Sequence, residues 1–149
     1  MFYLADIRLY IHFDMNTNFT LNTTEKLKVL VAEDNEISKL LVTSLLHHWG
    51  FESQVADNGQ QAIDYLLQKD YDLILMDIQM PLKDGIEATV EIRNLSDERK
   101  KKIPIIALTA NTAMGEEKKC MEAGMNGFLN KPFSEKNLQQ LIQSVLTLH

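Results

Sequence analysis

The sequence is short of several things, and each shortage narrows what the chain can be. It has one cysteine, Cys120, so no internal disulfide can form, and no Cys/His cluster with zinc spacing accompanies it. A reducing, cytoplasmic setting is the expectation. No apolar run approaches the roughly 20 residues that span a bilayer, so membrane contact is not expected. Residues 1–16 carry acidic and basic side chains inside their apolar stretch and lack the charged-then-apolar layout of a secretion signal. Basic residues are outnumbered as well: fifteen Lys and Arg stand against twenty-one Asp and Glu, a net charge of −6. Such a field repels phosphate backbones and anionic lipid, which argues against direct nucleic-acid binding.

What remains is ordinary in amount. The 149 residues, 45% hydrophobic and 24% charged, suit one domain that buries a real core without metal or disulfide staples. From Lys28 onward, short apolar runs alternate with amphipathic stretches five times, the pattern of a parallel sheet covered by helices. Strands are predicted over 28–32, 52–56, 71–76, 105–108 and 127–129. The helix after the first strand carries Ile37, Leu40, Leu41 and Leu45 at three- and four-residue spacing. The next carries Ala62, Ile63, Leu66 and Leu67 on its inner face. Further helices are predicted over about 85–95 and 113–123, and a last one with Leu138, Leu141, Ile142, Val145 and Leu146 on one face and Ser134 as its N-cap. The charged run 97–102 reads as a solvated helix end and loop. Residues 1–25 differ in kind: Ile7, Leu9, Ile11 and Phe13 alternate with polar residues, suggesting an additional strand, and 16–25 reads as a polar linker. That strand could extend the sheet edge, pair with a second copy in a homodimer, or be left from a preceding domain.

In an open parallel sheet, ligands bind at the carboxyl ends of the strands. The residues just past the five runs are Glu33 with Asp34, Asp57, Asp77, Thr109 and Lys131. Asp57 starts an Asp-Asn-Gly turn and is left out of the site. The other three carboxylates would repel one another, each pair by about 4 kcal/mol at about 4 Å and an effective dielectric near 20. A hard divalent cation offsets that, and so few carboxylates suit Mg²⁺ better than a Ca²⁺ cage; protonation or splaying into solvent is the alternative. With Mg²⁺ in place, a carboxylate can attack a phosphoryl donor, provided that metal and lysine stabilise the equatorial oxygens. Asp77 ends the most apolar run and is the candidate acceptor. His47 and His48 read as helix-end residues. Met114, Met121, Met125 and Cys120 read as packing or surface residues.

These same segments carry a resemblance. Val29 to Asn35, Ile74 to Pro81 with Asp84-Gly85, Ile105 to Ala110, and Gly127 to Phe133 closely resemble the receiver domains of two-component response regulators and hybrid sensor histidine kinases, over residues 26–149. The Glu33 to Glu36 and Leu108 to Asn111 segments look most like hybrid-kinase receivers. The resemblance implies a flavodoxin-like strand order 2-1-3-4-5 and a phosphorylation switch more than an enzyme. It implies that Asp77 takes a phosphoryl group from a phosphohistidine on a sensor kinase or histidine phosphotransfer protein. Glu33, Asp34, Asp77 and the backbone carbonyl of Gln79 would hold Mg²⁺, and Lys131 would pair with the phosphoryl oxygens. Thr109 and Phe128 would switch together, Gln79 and Asn111 would tune phosphate lifetime, and Lys131-Pro132 would be cis. Two rival chemistries fit worse. A haloacid-dehalogenase-like phosphatase needs a second Asp where Gln79 stands, and an FMN binder needs a phosphate cradle where Glu33 to Glu36 would repel one.

Overall fold

The structure, a computed structural model, describes residues 26–110 and 113–147, together with the backbone of two short strands before them. Those two are β1 (Ile11–Phe13) and β2 (Phe19–Leu21), which pair antiparallel as a two-stranded sheet with Ile11 opposite Leu21. The additional strand is thus seen over Ile11–Phe13, but its partner falls inside the stretch read as a linker. Three residues give too short a run for a period-two pattern to register, although Phe and Thr both suit a strand. Ile7 and Leu9 lie outside the described residues.

The rest alternates as expected: β3 (Lys28–Ala32), α1 (Glu36–His48), β4 (Glu52–Ala56), α2 (Gly59–Gln68), β5 (Leu73–Asp77), α3 (Gly85–Arg93), α4 (Glu98–Lys101), β6 (Ile105–Thr109), α5 (Glu116–Ala123), β7 (Gly127–Asn130) and α6 (Glu135–Thr147). The five strands from β3 onward pair in parallel in the order β4-β3-β5-β6-β7. In chain order of the sheet's strands this is 2-1-3-4-5. β5 and β6 are buried at every position, as central strands covered on both faces must be. One face packs Val29, Val31, Leu75 and Ile106 against α1 and α6, through Val42, Leu46, Leu138 and Ile142. The other packs Leu30, Ile74, Met76 and Ile105 against α2, α3 and α5, through Ile63, Leu66, Ala88, Ile92 and Cys120. Among the described residues no helix is long and apolar enough to cross a membrane.

The sheet decides which apolar side chains of its helices are covered. In α1 the buried residues are Val42 and Leu46, continued by Trp49, whereas Ile37, Leu40 and Leu41 are 81%, 69% and 51% exposed. The helix carries two apolar stripes at helical spacing, and periodicity could not tell which one the sheet covers. Leu67 of α2 is likewise exposed. The run 97–102, read as a solvated helix end and loop, instead forms a separate short helix, α4, whose N-cap Asp97 accepts from the amides of Arg99 and Lys100. Ser134 does cap the last helix, accepting from the Asn137 amide at 3.1 Å.

One side chain fastens the amino-terminal edge of the sheet to the helices around it. Arg93, in the last turn of α3, donates from Nε to the Gly124 carbonyl at 2.9 Å, from Nη1 to the Lys101 carbonyl at 2.7 Å, and from Nη2 to Asn126 Oδ1 at 2.8 Å. Asn126 Oδ1 also accepts the Ile105 amide at 2.9 Å, so the guanidinium reaches the start of β6 through one atom. Gly124 has φ 105°, and a Cβ there would sit 2.9 Å from Arg93 Cγ, so glycine is required on both counts. Replacing Arg93 by Met should take the guanidinium donor from the half-buried Gly124 and Lys101 carbonyls and one of two donors from Asn126 Oδ1, and lower stability by about 2–4 kcal/mol. Arg93→Lys should recover only part of that, because an ammonium lacks the planar fork. Urea unfolding with an unchanged m-value checks both.

Candidate functional site

The site lies at the carboxyl ends of β3, β5 and β6, where register alone sets its members side by side. Ala32 pairs with Met76, so Glu33 and Asp77 leave neighbouring strands together. Leu108 pairs with Asp77, and Asn130 with Thr109, which brings Thr109 and Lys131 alongside. Glu33, Asp34 and Asp77 each offer a carboxylate oxygen, and these oxygens lie within 4.8 Å of one another. Glu33 and Asp77 are buried while Asp34 is exposed at the rim.

Each buried carboxylate is held in place. Glu33 accepts the Asn35 amide on Oε1 at 3.1 Å and the Lys131 ammonium on Oε2. Asn35 itself caps α1, accepting from the Ser38 amide at 3.0 Å, so the helix start and the acid are positioned by one residue. Asp77 accepts the Gln79 amide on Oδ1 at 3.2 Å, and its Oδ2 stands 3.7 Å from Lys131 Nζ. The Lys131 amide donates to the Thr109 carbonyl at 2.7 Å, anchoring the loop that carries the lysine. Lys131-Pro132 is cis. Thr109 is buried, and Phe128 packs half-buried with the α2, α3 and α5 side of the core.

Sequence reasoning placed five of these groups at strand ends but missed what Gly85 does. Its amide donates to the Ile78 carbonyl at 2.9 Å, and a Cβ there would lie 2.2 Å from the Asp77 carbonyl oxygen. α3 can therefore start hard against the backbone of Asp77 only with glycine at that position. The signal was present as Asp84-Gly85, since Asp84 is the N-cap of α3, accepting from the Glu87 amide at 2.8 Å.

Residues 29–143 match the response regulator receiver domain. The chain belongs to that family. Among curated proteins it is 41% identical over 122 residues to hybrid signal transduction histidine kinase I of Dictyostelium discoideum, covering 78% of this chain and 7% of the relative. It is 40% identical over 116 residues to sensor protein GacS of Pseudomonas syringae pv. syringae, covering 77% of this chain and 13% of the relative. The chain thus corresponds to a small part of these long kinases. Among solved structures, the receiver domain of sensor histidine kinase PA1611 from Pseudomonas aeruginosa PAO1, with magnesium coordinated in its active-site cleft, aligns with a TM-score of 0.75. It is 37% identical and covers 82% of this chain and 98% of that one. Vibrio cholerae chemotaxis protein CheY4 aligns with a TM-score of 0.75 and 28% identity, covering 81% of this chain and 99% of that one.

Within this receiver domain, the residues set aside earlier stay aside. Asp57 is exposed and pairs with Lys39, which also holds Glu36 at 2.8 Å. Cys120 is fully buried, and burial pushes its thiol up to about 11, the opposite of a reactive thiolate. Met114 is fully exposed, and Met125 and Cys120 are core residues. Asn111 lies outside the described residues.

The electrostatics of the acid pair are those of a site that wants another positive charge. Burial first, and then close contact with the Glu33 carboxyl, push the Asp77 carboxyl up to about 7; Lys131 and the Gln79 amide pull the other way but do not win. A native pKa above the unfolded one means that the native state holds a proton that the unfolded chain has lost. In chelator, stability should therefore fall as pH rises from about 4 to about 7. Asp77→Asn should abolish this slope and stabilise the chelated protein at pH 8 by about 1–2 kcal/mol, after allowance for solvent screening at the open rim. Thermal melts of both proteins across pH, with and without a divalent cation, measure it.

Proposed function

We propose that this receiver domain accepts a phosphoryl group on Asp77 from a phosphohistidine and changes its output surface in response. The observation that supports this best is the meeting of three carboxylates at one strand end with a lysine reaching two of them. A divalent cation fits that donor set. The oxygens are hard, and the cluster is small and open to water at Asp34, which favours Mg²⁺. Glu33, Asp34, Asp77 and the Gln79 backbone carbonyl would hold it. When bound, Mg²⁺ neutralises phosphoryl charge and orients the donor.

The protein's own groups supply the rest. An Asp77 carboxylate oxygen attacks phosphorus, an oxygen–phosphorus bond forms, and the donor's nitrogen–phosphorus bond breaks with its electron pair returning to imidazole. Lys131, already shared between Glu33 and Asp77, turns its ammonium to the equatorial oxygens. Thr109, one position beyond Asp77's register partner Leu108 on the neighbouring strand, offers its hydroxyl to the new phosphate, and Phe128 follows on the adjacent strand. This pair is the two-state element. Gln79, in place of a second acid, leaves no general base where a phosphatase of the dehalogenase type keeps one, so the phosphate is a signal to be held.

The donor is a sensor kinase or a histidine phosphotransfer protein, in keeping with the hybrid kinases to which the chain is similar. The exposed stripe Ile37, Leu40 and Leu41 starts three residues beyond Asp34 and gives such a partner an apolar face beside the acceptor. Intact mass after incubation with acetyl phosphate should show one added phosphoryl group, dependent on Mg²⁺ and absent from Asp77→Asn. No adduct in the folded native protein, from acetyl phosphate or from a phosphorylated histidine phosphotransfer protein, would overturn acceptor chemistry. Leu40→Asp should leave the acetyl phosphate adduct unchanged but slow transfer from a phosphorylated histidine phosphotransfer protein at least tenfold, as a charge placed in an apolar contact does.

A further inference from the structure

A groove runs along the carboxyl end of the sheet beside the acceptor, lined by Asp34, Gln79, Met80, Asp84, Glu116 and Lys119 among others. Its acids would turn away an anion. Asp34 is exposed at the rim, Asp84 is engaged as the cap of α3, and Glu116 is buried in the first turn of α5. Among the described residues Lys119 is the one cation that lines it. Other lysines at this end of the sheet or next in sequence are paired: Lys39 with Glu36 and Asp57, Lys131 with Glu33 and Asp77, and Lys118 with Glu122. Lys119 is exposed, one turn past Glu116, and among the described residues its ammonium makes no ion pair within 4.0 Å.

We infer that Lys119 is a positioning residue that draws small anionic phosphodonors, such as acyl phosphates, along this groove to Asp77. The inference rests on the acceptor role proposed for Asp77. An acyl phosphate carries its charge on a small, freely diffusing body with no protein surface to guide it, so its encounter depends on the local field. A flexible ammonium at the groove wall supplies that field without fixing a geometry. In the transfer itself, an Asp77 oxygen bonds to phosphorus, the acyl oxygen–phosphorus bond breaks, and the carboxylate leaves with the electron pair. Lys119 exchanges no proton.

The test uses the full chain with acetyl phosphate and Mg²⁺, following adduct formation by intact mass for native protein, Lys119→Gln, Lys119→Arg and Lys69→Gln. Lys69 removes the same charge at the opposite, amino-terminal end of the sheet, where it follows α2. At low salt Lys119→Gln should react about three- to tenfold more slowly, through a weaker apparent affinity at an unchanged plateau rate. Lys119→Arg and Lys69→Gln should stay near native. Near 1 M salt, where the Debye length is about 3 Å, the deficit should vanish. A Lys119→Gln protein as fast as native at low salt, a deficit that persists in high salt, or an equal loss in Lys69→Gln overturns the inference while the acceptor role stands. Absence of adduct from all four proteins overturns the inference, and absence with a phosphorylated histidine phosphotransfer protein as well overturns the acceptor role.

Discussion

Two carboxylates buried side by side at the ends of adjacent strands constrain everything else at this end of the sheet. Parallel register puts Glu33 and Asp77 next to each other whether or not their charges agree. Left alone, such a pair repels strongly in a partly dry setting, and one member takes a proton. The fold answers by bringing Lys131 across from the end of β7, by aiming the Asn35 and Gln79 amides at the carboxylates, and by leaving Asp34 open to water. The compensation is incomplete, since Asp77 still sits near neutrality in its titration. In the proposed function, that unfinished balance is what a cation, and then a phosphoryl group, would draw on.

The neighbouring packing is arranged to keep the pair in place. Gly85 lets α3 begin against the Asp77 backbone, Asn35 starts α1 while holding Glu33, and the Lys131 amide is tied to Thr109. At the far end, Arg93 locks α3 to the turns before β6 and β7. Rigidity at one end and an imperfectly neutralised cluster at the other are the ingredients of a switch. Under the proposed function, a change in charge at Asp77 would be taken up by Thr109, Phe128 and the loops that carry them.

Much of this could be read from the residues. Strand positions followed from apolar runs and turn signals, and the site followed from asking what stands just past each run. The order of the strands came from resemblance, because periodicity says nothing about which strands are neighbours. Some features were not legible for physical reasons. α1 has two apolar stripes, and only the placement of the sheet decides that Val42 and Leu46 face inward while Ile37 and Leu40 face out. β2 is three residues long, beneath any pattern. The role of Gly85 depends on a backbone approach across the chain, and that Lys131 reaches Glu33 as well as Asp77 depends on where β7 sits in the sheet.

The central claim is that Asp77 itself becomes the phosphorylated residue when a phosphohistidine protein is the donor. The most direct measurement is to mix this chain with a phosphorylated histidine phosphotransfer protein and Mg²⁺, reduce with borohydride, and map the product by peptide mass spectrometry. The account predicts homoserine at position 77, the mark of a reduced aspartyl phosphate, and nowhere else. Transfer mapped to another residue, or loss of phosphate from the donor with position 77 unmodified, would contradict it.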